Sequence, residues 1–120
     1  MSMGITTIDT RVFNPADRSH ITELQFTVDS GANYSLVPAK ILEELGIQPD
    51  TTKRFFLANG DAIERKMGNA GFEYLDEVAH ARVIFGEEGD AALIGVTTLE
   101  AFGFVLDPFK RELRPMPMRL

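Results

Sequence analysis

Asp29 is the residue best placed to do chemistry. It stands in the stretch Leu24-Gln25-Phe26-Thr27-Val28-Asp29-Ser30-Gly31-Ala32-Asn33-Tyr34-Ser35-Leu36-Val37-Pro38. A strand-like run from Leu24 to Val28 leads directly into a carboxylate, a hydroxyl and a glycine, and a second apolar run follows. In most chains Asp-Ser-Gly is an ordinary Asx turn, in which the acid accepts from the backbone just beyond it. Here the acid is carried on an apolar strand and its turn is built from small residues, so the pattern sets one carboxylate at the end of a buried strand. Asp61 and Asp107 read instead as turn residues, because neither ends an apolar strand with a glycine after it.

Other chemistries find less support. The chain has no cysteine, which removes thiol nucleophiles, cysteine zinc sites and disulfides. His20 and His80 lie in separate segments without metal-ligand spacing and read as surface residues. Glu87, Glu88 and Asp90 lie on a glycine-flanked stretch with no further ligand to complete a metal shell, and read as a solvated acidic loop. The net charge is -6, which argues against nucleic acid or an anionic membrane as partner. A small basic cluster, Lys110, Arg111, Arg114 and Arg119, is interrupted by Glu112 and two prolines and reads as a solvated tail. Met1–Phe13 lacks the apolar core of a secretory signal, and no run reaches membrane-spanning length, so a cytoplasmic location is the expectation.

The 120 residues, 44% of them hydrophobic, suit one compact domain with a real core. Alternating apolar residues predict a strand over Ile5–Phe13. Asn14–Ser19 is dense in turn formers, and His20–Val28 returns as the second strand of a hairpin ending at Asp29. Tyr34–Val37 reads as a short strand. Pro38 suits a helix N1 position, and Ala39–Leu45 reads as a helix stopped by Gly46 with Ile47 packing back. Lys53–Ala58 and Ala62–Met67 flank Asn59-Gly60, which signals a two-residue type I′ hairpin turn. Gly68–Tyr74 and Val78–Phe85 are two more strands, and Ala91–Val96 is a buried one. Thr97–Phe102 is a short helix stopped by Gly103. Val105-Leu106 starts a last strand, broken by Asp107-Pro108, and residues 115–120 read as an irregular tail. This is a mostly β, barrel-like domain with one or two short helices.

The chain also echoes itself. Leu42-Glu43-Glu44-Leu45-Gly46-Ile47 matches Leu99-Glu100-Ala101-Phe102-Gly103-Phe104. The same alignment sets Leu36-Val37 on Leu93-Ile94, and Val28-Asp29-Ser30-Gly31 on Phe85-Gly86-Glu87-Glu88. Each half therefore reads strand, loop, apolar strand, short helix, glycine stop. The acid-hydroxyl-glycine turn is present in the first half only, and its counterpart in the second half begins with Gly86.

Taken together, these residues resemble the retropepsin-like aspartic proteases, the retroviral proteases and their cellular and bacterial relatives. The likeness rests on Thr27-Val28-Asp29-Ser30-Gly31-Ala32, on the mid-chain hairpin around Asn59-Gly60-Asp61, and on Leu93-Ile94-Gly95 before a short helix. It spans about residues 5–114. The resemblance implies a closed acid-protease β-barrel and an aspartic endopeptidase that needs no cofactor or metal. It implies Asp29 as catalytic acid and base, and Ser30 tying two active-site loops together where relatives more often use threonine. Gly31 then lets the backbone approach the carboxylates. The hairpin of Asn59, Gly60 and Asp61 would be the flap over an extended peptide, with Ala32 and Asn33 beside it in the substrate site. Leu93, Ile94 and Gly95 would support the catalytic loop. Thr97 departs from the Asp or Asn common in relatives.

Peptide hydrolysis by this route uses two carboxylates that share one proton. One takes a proton from the attacking water, and the other polarises the scissile carbonyl. The chain has one such motif, so a second copy must bring the second Asp29, and the active unit is expected to be a C₂ homodimer. An alternative reading keeps the fold but not the catalysis, as a dimeric protein-interaction module. A third, a metal-dependent hydrolase using the acidic loop, would show as sensitivity to chelators.

Overall fold

The computed structural model describes residues 6–117; Ile5 and Arg119 therefore lie outside the described residues. Nine strands and two short helices follow one another as β1 (Thr7–Asn14), β2 (Asp17–Val28), β3 (Ser35–Pro38), α1 (Ala39–Glu44), β4 (Thr51–Phe56), β5 (Ala62–Tyr74), β6 (Glu77–Gly86), β7 (Leu93–Ile94), α2 (Val96–Phe102), β8 (Phe104–Asp107) and β9 (Glu112–Pro115). Seven strands form one sheet in the order β1-β2-β7-β3-β6-β5-β4, and an extra β1–β5 pairing leads the order back to its start. The first hairpin shows how sequence sets register. Ile8, Thr10 and Val12 turn inward and Thr7, Asp9 and Arg11 face solvent, while β1 pairs with β2 from Thr7↔Thr27 to Asn14↔Asp17.

The core is filled by Val12, Phe26, Val37, Leu42, Phe72, Val83 and Ile94, all fully buried. Phe26 and Phe72 meet edge to face, with ring centroids 6.3 Å apart. Val37, Leu42, Leu45, Ile94, Leu99 and Phe102 are buried in the core. Leu36 and Leu93 are only half-buried, and both line the cleft described below.

The internal echo is realised as a local two-fold relation. Strand β2 pairs in parallel with β7 through Thr27↔Leu93 and Val28↔Ile94. Strand β6 pairs in parallel with β3 through Ile84↔Leu36 and Phe85↔Val37. The shift that carries Leu36 onto Leu93 exchanges these two sets of pairs, and Leu36 and Leu93 face each other across the β3–β7 contact. Both helices stop on a left-handed glycine, Gly46 at φ 77° and Gly103 at φ 82°. After α1, the Gly46 N–H donates to the Glu43 carbonyl and the Ile47 N–H to the Leu42 carbonyl, each at 2.9 Å, the two bonds of a Schellman stop.

Several expectations are corrected. Pro15-Ala16 alone makes the first turn, and Asp17-Arg18-Ser19 already belongs to β2. Pro38 ends β3 as the cap before α1, with ψ 132°, and is not the first helical residue. Asn59-Gly60 is not a two-residue turn. The Gly60 N–H donates to the Leu57 carbonyl and the Leu57 N–H to the Asp61 carbonyl. Of the loop residues only Gly60 has positive φ, which is a three-residue loop with glycine in the bulge position. The type I′ turn lies instead at Leu75-Asp76, both at positive φ, where the sequence offers an aspartate but no glycine or asparagine. Gly68 does not divide two strands: β5 runs through it, pairing with β4 on one side up to Met67 and with β1 from Gly71 on. The buried strand before α2 shrinks to Leu93-Ile94, because Val96 opens the helix. Beyond Asp107-Pro108 the chain turns back, and Glu112–Pro115 pairs with β8. Asp107 caps that turn by accepting from the N–H groups of Phe109 and Lys110.

An added methyl at Gly46 meets only Asn14 Nδ2, at 3.4 Å, so its cost is the left-handed backbone alone. Gly46→Ala is expected to lower the unfolding free energy by about 1 kcal/mol, measured by urea denaturation at fixed protein concentration.

Candidate active site

Strand β2 ends at Val28, and the next residue leaves the sheet while still anchored to it. The Asp29 N–H donates to the Ile94 carbonyl at 2.9 Å, which continues the parallel β2–β7 ladder by one bond. The Asp29 carboxylate then accepts from the Gly31 N–H at 2.9 Å, and the Ala32 N–H closes the turn on the Asp29 carbonyl at 3.2 Å. One carboxylate oxygen is therefore fixed by the backbone, and the side chain stays exposed. A Cβ at position 31 would meet Asp29 Oδ1 at 3.2 Å, so glycine gives the carboxylate its room. The Ser30 hydroxyl is exposed and bonds to nothing among the described residues.

The segment beneath this turn is held from the other half of the chain. The Val96 N–H donates to the Ala32 carbonyl at 2.8 Å, and the Thr97 N–H to the Asn33 carbonyl at 3.0 Å. Buried Ser35 Oγ accepts the Gly95 N–H at 3.0 Å and shares a 2.5 Å hydrogen bond with buried Thr98 Oγ1. Gly95 has no space for a side chain. A Cβ there would lie 2.5 Å from the Tyr34 carbonyl oxygen and 2.9 Å from that of Ala32. Ile94 meets the Asp29 turn through a backbone bond and Gly95 packs on the segment after it, while Leu93 pairs with Thr27 of β2. Ser35 and Thr98 were not singled out in the sequence. The available signal was a serine opening an otherwise apolar strand and a threonine beside Leu99 on the buried face of a short helix.

A cleft of about 650 Å³ opens beside the turn. Gly31, Ala32, Asn33 and Tyr34 form one wall, and Arg54, Phe55, Phe56, Leu57, Ile63 and Arg65 of the β4–β5 hairpin form the facing wall. The tip residues Asn59, Gly60 and Asp61 stand exposed beyond this lining, tied to one another by the Asn59 side chain. Tyr34 reaches across to the hairpin. Its ring meets Phe55 edge-on at 6.4 Å, and its hydroxyl lies 3.4 Å from Lys53 Nζ.

An ion pair joins the hairpin to the 87–90 loop, whose Gly89 and Asp90 also line the cleft. Arg65 Nε and Nη2 donate to the two carboxylate oxygens of Asp90, at 2.9 and 3.3 Å. The Arg65 side chain is 16% exposed and that of Asp90 23%. Glu87 adds a looser contact at 3.6 Å. The acidic stretch is thus not simply solvated: Asp90 is half-buried, while Glu87 and Glu88 remain exposed. The Arg65 hydrogen bond, with help from the Glu87 N–H, holds the Asp90 carboxyl below its usual 3.8.

No protein-family model matches the chain, and no curated protein matches it. Solved structures do. The solution structure of the simian foamy virus (mac) protease matches at 19% identity with a TM-score of 0.56, covering 79% of this chain and 92% of that one. The EIAV protease, solved with an inhibitor bound, matches at 14% identity with a TM-score of 0.61, covering 83% and 89%. A retropepsin-like aspartic protease from Rickettsia conorii is 24% identical over 89% of this chain and 88% of that one, with a TM-score of 0.48. The chain has a retropepsin-like fold, mostly β with two short helices. No helix among the described residues is long and apolar enough to cross a membrane.

Two predictions test the supports. Ser35→Ala leaves the buried Gly95 N–H and Thr98 hydroxyl short of a partner, and should lower stability by about 2 kcal/mol. Gly95→Ala must displace backbone and should cost about 3 kcal/mol; both are read from urea unfolding. For Asp90 the folded-state pKa is depressed, so its contribution is present above 3.8 and is lost as pH falls through the lower folded value. The stability gap between wild type and Asp90→Asn should therefore be full near neutral pH and shrink in acid unfolding series below that point.

Proposed function

We propose that the protein is an aspartic endopeptidase acting as a homodimer, with one Asp29 from each subunit forming the water-activating pair. The observation that carries this reading is the asymmetry within the two-fold-related halves. Asp29 presents a backbone-anchored, exposed carboxylate beside a cleft walled by a hairpin. Its counterpart Gly86 is buried, and a Cβ there would fall 2.3 Å from Leu36 Cδ2. That position holds a glycine packed against Leu36 and supplies no acid, so the matching carboxylate comes from a second copy, whose two-fold axis brings the two turns together. Two carboxylates at contact cannot both ionise freely, and they share a proton. The ionised one accepts a proton from water as it attacks the peptide carbonyl, and the protonated one hydrogen-bonds the carbonyl oxygen.

The other site residues take supporting roles in this reading. The unpartnered Ser30 hydroxyl is free to bond the partner's turn. Gly31 keeps the approach to the carboxylate narrow and open. Ala32 and Asn33 with the β4–β5 hairpin hold an extended peptide, the Asn59-Gly60-Asp61 tip closing over it. Leu93, Ile94 and Gly95 fix the position of Asp29.

The decisive comparison is wild type against Asp29→Asn, by peptide-library cleavage over a pH range with sizing in solution. Wild type should cleave best at mildly acidic to neutral pH, and Asp29→Asn should lose cleavage while keeping the dimer. Cleavage that persists in the variant overturns the catalytic assignment, and a strictly monomeric active enzyme overturns the two-copy site. A rate still climbing above about pH 9 contradicts a shared proton. Dimerisation without any Asp29-dependent cleavage selects the interaction-module reading.

A further inference from the structure

We infer that Arg65 and Asp90 are a positioning pair that tethers the β4–β5 hairpin to the 87–90 loop and so sets the width and charge of the cleft. The pair carries the association of β5 and β6 beyond the last ladder position, Met67↔Ile84, to the hairpin and the 87–90 loop. Arg65 projects from the same face of β5 as Ile63, and both line the cleft. Across the hairpin Arg65 is in register with Lys53, and Ile63 with Phe55. Two cations directly opposite on one sheet face repel, and the Asp90 carboxylate offsets that repulsion by taking Arg65 in a two-pronged grip.

The loop is built to present this carboxylate. Asp90 Oδ2 accepts the Glu87 N–H at 2.8 Å, and the Asp90 N–H returns to the Glu87 carbonyl at 2.9 Å. Gly89, at φ 91°, makes the tight return possible. The same oxygen that closes the loop receives Arg65 Nε, so loop and hairpin are braced through one atom. The planar guanidinium matches a carboxylate in a way an ammonium does not. Because the pair is only partly exposed, removing one member leaves the other charged in the cleft wall with poor access to water.

Two consequences differ in what they rest on. Restraint of the hairpin follows from the geometry alone. The effect on substrate rests on the proposed function: with Arg65 neutralised, Arg54 is the remaining cation in the lining and the part beside Tyr34, Leu36, Phe55 and Ile63 suits an apolar peptide side chain, while freeing Arg65 adds a second cation and favours an acidic one.

Amide hydrogen exchange of the intact protein tests the restraint without substrate. Arg65→Leu leaves the 87–90 turn its own hydrogen bonds, and Asp90→Asn removes the charge from the other side. Both should speed exchange across Phe55–Ile63 by roughly tenfold while the β1–β2 hairpin stays within about twofold of wild type, and Arg65→Lys should recover part of the loss. Unchanged exchange in the hairpin overturns the tether, and so does an equal rise throughout the protein. In peptide cleavage, Arg65→Leu should raise KM about fivefold with kcat within about twofold. Asp90→Asn should shift the preference between matched Glu and Gln peptides toward Glu by about fivefold. An unaltered Glu/Gln ratio overturns the charge role. If wild type shows no Asp29-dependent cleavage, the protease reading and the substrate half fall together, while the exchange result stands by itself.

Discussion

Two short parallel strand contacts hold this molecule in the arrangement on which its site depends. Thr27-Val28 lies along Leu93-Ile94, and Leu36-Val37 lies along Ile84-Phe85. Parallel pairing requires the chain to travel far between partners, so each contact joins segments distant in sequence. Each then delivers a loop leaving the sheet at the same level. One of these loops starts with Asp29, hydrogen-bonded to Ile94, and the other with the buried Gly86. The half-buried pair Leu36 and Leu93 sits where the two halves cross.

The interior of this crossing is polar in one place only among the described residues of β3, β7 and α2. Ser35 and Thr98 bury their hydroxyls against each other, and Ser35 also satisfies the Gly95 N–H. A buried donor without a partner is costly, so this small network specifies how α2 approaches the Asp29 turn as well as stabilising the approach. Gly95 is part of the same constraint, since two carbonyls occupy the space a side chain would need. The carboxylate thus inherits its position from backbone bonds and close packing.

The cleft has a different character. Its facing walls meet through side chains, Tyr34 with Phe55 and Lys53, and Arg65 joins the hairpin to Asp90 of the 87–90 loop. The exposed apolar side chain of Phe56, 74% accessible, lies on the hairpin that forms the outer wall. A floor that holds the carboxylate by backbone bonds and a wall held by a few side-chain contacts would fit the enclosure of an extended peptide in the proposed function.

Much of this was legible in the residues because it is local. Alternation revealed β1 and β2, glycine followed by an apolar residue marked both helix ends, and a small-residue turn after an apolar strand singled out Asp29. The echo between the halves was visible because like elements need like patterns. What failed was also local but under-determined. Asn59-Gly60 suits more than one turn type, and the pairing of Phe56 with Ala62 decided for the longer loop. Gly68 reads as a break, yet β5 passes through it because β6 pairs with it without interruption from Met67 to Tyr74. The acidic stretch read as solvated because nothing near it in sequence announces Arg65. By itself the sequence determined a mostly β domain, its repeated halves and a single carboxylate on a tight turn, since propensity, spacing and turn chemistry act over a few residues. Only the tertiary structure decided which backbone carbonyl receives Asp29, which hydroxyls meet in the core, and that Arg65 and Asp90 join the hairpin to the 87–90 loop. Those contacts join residues far apart in the chain, and their energies exist only once the strands are paired.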